Sequence, residues 1–139
     1  MFLVDTSVWL DFLRGADTTR VRILKALLDD EAVVGIAPII LQEILQGADS
    51  GQRFEKWRKY FSDLWLYVPK DPVESHVAAA WIYNACRRAG KTPRSSNNCL
   101  IAQIAIERDL ILLHHDKDFD AIASVDAALR LYAWGATTV

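Results

Sequence analysis

Short apolar runs of three or four residues, each followed within a few positions by a stretch of helical spacing, recur from one end of this chain to the other. That alternation constrains the fold more than any other feature. A strand that feeds a helix and then another strand builds parallel pairs, because the crossover must return the chain to the start of the sheet. Phe2 to Val4 reads as the first strand. A helix follows from about Ser7, with Val8, Trp9, Phe12 and Leu13 at helical spacing and Gly15 as its stop. A second helix spans Thr18 to Asp30, and Val33 to Ile36 reads as a strand. Pro38 suits the first turn of a helix through Leu45, closed by Gly47. Gln52 to Phe61 is helical, and Trp65 to Val68 is a third strand.

Asp71-Pro72-Val73-Glu74 is a strong helix start, with Asp71 as cap and Glu74 placed to reach back. That helix runs to Ala89, before Gly90 and Pro93. Ser95 or Ser96 caps the next, through Arg108. Leu110 to Leu113 is a buried-type strand, a short helix starts near Asp118, and Leu129 to Ala133 reads as a final strand. The expected fold is α/β, one domain over residues 1–139, with a parallel sheet of about four or five strands flanked by helices. With 52% hydrophobic residues, disorder is excluded. The longest unbroken apolar run, Val77 to Tyr83, is far short of the ~18 residues a membrane span needs. Asp5 cuts the apolar start and no basic leader precedes it, so no signal peptide is expected. Cys86 and Cys99 lack metal-site spacing and read as reduced thiols of a cytoplasmic protein. A mean hydropathy of +0.08 points to some apolar surface covered by a partner.

In parallel α/β sheets, ligands bind outside the carboxyl ends of the strands. Asp5 follows the first strand directly, and Asp116 and Asp118 follow the strand ending at Leu113. Each reads also as a helix cap or turn residue. Glu43 shares a helix face with Ile39, Ile40 and Ile44, where a carboxylate needs a cation or strong hydrogen bonds. Its other reading is an acid that reaches out to solvent or pairs with an arginine. Asn98 lies three residues before Ile101 and so points inward, as a ligand or as a structural amide. Oxygen ligands gathered on one rim suit Mg²⁺ or Mn²⁺, which can activate a water and stabilise a phosphate leaving group. There is no Cys/His cluster for zinc, no glycine-rich phosphate loop and no serine-hydrolase elbow. His76 reads as a helix-surface residue, and His114 and His115 as structural residues flanking the acids.

Four segments together resemble PIN-domain ribonucleases of the VapC toxin type. They are Asp5 to Gly15, Leu41 to Gly47, Arg94 to Ala102, and Leu113 to Asp120, in that order. The resemblance implies a parallel sheet between helices and a pocket holding Mg²⁺ or Mn²⁺. It also implies metal-dependent endonucleolytic cleavage of RNA, with transfer or ribosomal RNA as the expected target. Carried over, Asp5, Glu43 and Asp116 become metal-site acids and Asp118 an additional one. Thr6 or Ser7 supplies a hydroxyl that orients an acid or a metal-bound water. A homodimer and a cognate VapB-type antitoxin are further implications. The family pattern carries Asp where this chain has Asn98. That exchange keeps the shape, removes a charge and leaves only a weak carbonyl ligand. The chain as written is therefore expected to have little or no nuclease activity. A catalytically dead module that binds antitoxin or RNA is the rival reading. A receiver-like signalling domain also clusters acids at strand ends but gives no reason for Glu43.

A net charge of −2 excludes nucleic-acid binding by bulk charge alone. Local contacts are expected from Arg94 and Lys117, while Arg14 faces either substrate or antitoxin. The Arg53, Lys56, Arg58 and Lys59 cluster reads as a solvated helix face. Trp9 and Trp81 are expected in the core. Trp57, Trp65 and Trp134 are open to partner contacts.

Overall fold

The computed structural model describes residues 1–133. Its elements are β1 (Phe2–Val4), α1 (Thr6–Leu13), α2 (Thr19–Asp29), β2 (Val34–Ile36), α3 (Pro38–Gln46) and α4 (Gly51–Ser62). They continue with β3 (Trp65–Leu66), α5 (Pro72–Arg88), α6 (Ser96–Glu107), β4 (Ile111–Leu113), α7 (Lys117–Val125) and β5 (Arg130–Leu131). The five strands form one parallel sheet in the order β3-β2-β1-β4-β5.

That order decides where a ligand can sit. From β1 the chain moves outward to β2 and β3, then returns to place β4 on the other flank of β1. Right-handed crossovers put the helices of the outward path on one face and those of the return path on the other. The observed packing separates the same way. α1 meets α2 and α3, and α3 meets α4; α5, α6 and α7 pack on one another. The crossovers from β1 and β4 diverge, which leaves a crevice outside the carboxyl ends of these two strands. Asp5 and Asp116 are the residues that enter it.

The core is continuous from one helical group to the other. Leu3, Val4, Leu112 and Leu113 form its centre, with Ile40 and Ile44 of α3 and Ile101 and Ile104 of α6 around them. Trp9 is fully buried, with edge-on contacts to Phe12 and Phe61. Trp57 is buried as well. Gly15 and Gly90 end α1 and α5 in the left-handed region, at φ 75° and 74°, as their stop positions require. Asp71 caps α5 by accepting from the Val73 and Glu74 amides.

Three expectations are corrected. Trp81 is 64% exposed, and Arg88 lies over its ring at 4.8 Å. Every residue from Val77 to Tyr83 is apolar, so the pattern cannot say which face turns in; Ala79, Ile82 and Cys86 do. The third strand is two residues long instead of four. Tyr67 still donates its amide to Ile36, but its ring folds inward over Gly35, where a Cβ would clash with it. The last strand is likewise short, at Arg130–Leu131. Trp65 is exposed on the sheet edge, and Trp134 lies outside the described residues. Cys86 and Cys99 are free and buried, and burial pushes the Cys99 thiol up to about 12.

Candidate active site

Two pairs of carboxylates face the crevice, and each is kept in order by different donors. The first pair joins β1 to α3. Asp5 stands at the N-cap of α1, 3% exposed, where its Oδ2 accepts from the Ser7 amide at 3.1 Å and the Ser7 hydroxyl at 2.6 Å. Burial raises the Asp5 pKa; the Ser7 hydrogen bonds oppose this, and the nearby Glu43 charge adds to it. Glu43 is half-buried on α3, and its Oε1 accepts from the Thr6 hydroxyl at 2.9 Å. Both hydroxyls named from the sequence are thus engaged, each with its own acid.

The second pair sits at the start of α7. Asp116 caps that helix through Oδ1, which accepts from the Asp118 amide at 2.9 Å. Asp118, 6% exposed, reaches back to α6. Its carboxylate accepts from the Arg94 amide at 3.0 and 3.1 Å and from the Ser95 amide at 3.1 Å. The serine cap expected for α6 is not made: Ser95 holds the cap position but makes no side-chain bond there. The Asp118 carboxylate instead ties down the turn that leads into the helix, through the Arg94 and Ser95 amides.

Asn98 joins this second pair. It is 5% exposed in the first turn of α6, and its Nδ2 lies 3.1 Å from Asp116 Oδ2 and 3.1 Å from Asp118 Oδ2. Carboxylates only accept, so the amide nitrogen must face them, and its two hydrogens serve one acid each. An aspartate here would instead place a third negative group between two others.

A thread of bonds connects the pairs. The His115 amide donates to the Ser7 hydroxyl at 3.0 Å, and the Asp5 amide donates to the Leu113 carbonyl at 2.9 Å. His114 is buried, and its Nδ1 accepts the Asp116 amide at 3.1 Å, so the ring proton sits on Nε2, 3.8 Å from Asp120. Burial pushes its pKa down. The reading of His114 as structural agrees with these bonds; the His115 side chain is exposed, and His76 is exposed on α5 as expected.

The donor set is oxygen throughout and so suits a hard cation such as Mg²⁺ or Mn²⁺. The fit is complete on the Asp5–Glu43 side only in chemistry, not in number. Among the described residues no three His, Cys, Asp or Glu groups are arranged as a ligand cage. On the other side, the Asn98 N–H groups already occupy the space between Asp116 and Asp118 where a cation's charge would be of use.

Of the basic residues, Arg94 and Lys117 line a cleft of about 560 Å³ beside Asp116. Arg14 does not; it caps the far end of α1. Arg20 lines the cleft too and was not legible in the sequence. Its Nε donates 2.9 Å to the His114 carbonyl, a contact spanning 94 residues. Nothing local marks such a residue, which reads as one more solvated cation on a helix.

The chain has relatives among known proteins. The PIN domain family model matches residues 2–125. Ribonuclease VapC11 of Mycobacterium tuberculosis is 36% identical over 126 residues, covering 90% of this chain and 93% of that protein. Ribonuclease VapC32 of the same species is 31% identical over 121 residues, covering 87% and 89%. Among solved structures, VapBC2 from Rickettsia felis, bound to a promoter DNA fragment, superposes with a TM-score of 0.71. It has 16% identity and coverage of 96% of this chain and 98% of that one, a likeness of fold. With the family model spanning nearly all of the chain and relatives above 30% identity along its length, this chain belongs to the PIN domain family, alongside its VapC ribonucleases.

Proposed function

We propose that the chain has the design of a metal-dependent endoribonuclease toxin, and that Asn98 disables it. The observation that carries this reading is that Asp5 and Asp116 follow the two strands at the strand-order switch, with Glu43 tied to Thr6 beside Asp5, in a relative of VapC ribonucleases. Asp5, Glu43 and Asp116 would hold Mg²⁺ or Mn²⁺, with Asp118 and the Asn98 position completing the set. Such a cation supplies an activated water and neutralises charge at the scissile phosphate. The protein's own contribution is orientation. Ser7 fixes one Asp5 oxygen and Thr6 one Glu43 oxygen, which leaves each acid a second oxygen in a set direction. His114 holds the Asp116 backbone by accepting its amide, while both Asp116 oxygens are engaged, by the Asp118 amide and by Asn98. Asp118 is spent on the Arg94 and Ser95 amides in the turn before α6 and acts as a brace.

Transfer or ribosomal RNA is the proposed substrate class, and the cytoplasm the proposed location. A VapB-type antitoxin is the proposed partner, supported by structural neighbours that are toxin–antitoxin complexes. A second copy is the other proposed partner. Val73, Val77 and Trp81 stand exposed at four-residue intervals on α5, an apolar stripe suited to a homodimer contact.

RNA cleavage by this chain beside the Asn98→Asp variant, with Mg²⁺, Mn²⁺ or chelator, tests the reading. Chelator-sensitive cleavage by the variant alone is the expected result. Robust metal-dependent cleavage by the unaltered chain would show that Asn98 does not disable it. One observation favours a second reading, a module that only binds RNA or antitoxin: the amide satisfies Asp116 and Asp118 without a cation. Binding of metal by the variant without cleavage of any RNA would favour it.

A further inference from the structure

We propose that the cleft beside Asp116 is a phosphate subsite for the RNA strand, built by Arg20, Arg94 and Lys117. This rests on RNA being the substrate and assigns where the strand is held next to the reacting bond.

The three cations come from three elements: Arg20 from α2, Arg94 from the turn before α6, Lys117 from the first position of α7. They converge on one cleft in a chain whose net charge is −2, so the local field runs against the global one. The cleft also contains two acids. Asp116 is already engaged with Asn98 and the Asp118 amide, and the Arg94 guanidinium stands 4.0 Å away. Asp120 faces the buried His114 ring at 3.8 Å. Asp116 thus faces partners inside the protein, while Asp120 stays exposed, and the three cations outnumber the two acids around the opening. Arg94 and Lys117 are exposed, whereas Arg20 is held in place by its bond to the His114 carbonyl. A guanidinium with two exposed cations beside it suits a phosphodiester, which a planar fork can engage through two oxygens. The cleft is also wired to the acids. His115, on its wall, donates to Ser7, which donates to Asp5. A phosphate held here lies one bond network away from the proposed cleavage point.

The test is binding of a fluorescein-labelled single-stranded RNA 20-mer, by anisotropy in Mg²⁺ between 50 and 300 mM KCl, with the probe checked intact on a gel. For single strands each phosphate contact contributes about 0.7 to the slope of log K against log salt. Arg20→Gln, Arg94→Gln and Lys117→Gln should each flatten the slope by about 0.7, which is about fivefold in affinity at 100 mM salt. Arg22→Gln removes the same charge from the same helix, at a residue that faces solvent beside Asp17, and should leave the slope alone. Lys117 and Arg94 are exposed, so their variants keep the inference testable even if Arg20→Gln alters folding. Parental slopes in both would overturn it. So would a poly-glutamate peptide that binds through these three residues when RNA does not, since the cleft would then serve an acidic protein segment. If the Asn98→Asp variant cleaves RNA and the slopes do not move, the subsite alone fails. If the chain neither binds nor, with Asp at position 98, cleaves any RNA, the ribonuclease reading fails and takes the subsite with it.

Discussion

The two carboxylate pairs of this site solve one electrostatic problem in two ways. Asp5 and Glu43 each have a private hydroxyl, from Ser7 and Thr6. Asp116 and Asp118 share one amide, from Asn98. The first arrangement leaves two acids close enough for Glu43 to raise the Asp5 pKa. The second has donors between its acids and is complete as it stands. The difference teaches that cation demand is not set by counting acids on a rim. It is set by what stands between them, and here one atom exchange separates a pair that needs a counter-charge from one that carries its own donors.

The largest effect should come from undoing that asymmetry. Asn98→Asp places an unpaired buried charge beside two others, at a cost of about 3–5 kcal/mol in chelator. Mn²⁺ should recover most of it, while the unaltered chain should melt at nearly the same temperature in Mn²⁺ and in chelator. Equal cation responses in thermal denaturation would break the comparison.

Next, Ser7→Ala strips a donor from the more buried acid and should cost about 1–3 kcal/mol in urea unfolding. Thr6→Val acts on half-buried Glu43, where water can substitute, and should cost about 0.5–1.5 kcal/mol. The reverse ranking would show that burial does not separate the two acids.

The smallest effect is in pH. His114 has a folded pKa below its ordinary 6.5, because burial disfavours the charged ring. The unfolded chain then binds more protons, so stability falls as pH drops below about 6.5 towards the folded value. Asp5 has a folded pKa above its ordinary 3.8, so its contribution has the opposite sign: stability falls as pH rises through that window. His114→Asn offers an acceptor in place of Nδ1 but does not titrate. It should flatten the decline below pH 6.5 in a series of melting temperatures and leave the Asp5 limb at lower pH unchanged.

Much of this was legible in the sequence because periodicity reports direction. The inward aim of Glu43 and Asn98 followed from their spacing to isoleucines, and the strand-end acids followed from where apolar runs stop. Trp81 was not legible, since a run with no polar residue carries no phase. The division of labour between Thr6 and Ser7 was not legible either, as both hydroxyls are adjacent and only the fold places Glu43 beside one of them. Asp118 read as an acid for the site, yet its oxygens serve amides of the turn that leads into a different helix. Arg20 belongs to the same class: its meaning depends on a carbonyl 94 residues away.

The tie from Asp118 to the turn before α6 has a consequence for synthesis. A chain emerging from the ribosome presents its first strand early, but β1 gains its second neighbour only when β4 arrives. The Ser7–His115 bond closes a loop of 108 residues, a slow and late event in folding. Until Asp118 is made, the turn before α6 is not tied to α7 and Asn98 lacks one of its two acids. The candidate site residues are therefore scattered along the nascent chain and meet only after the segment from Asp116 to Asp118 has been made. A site of this design is assembled late, from its most distant parts.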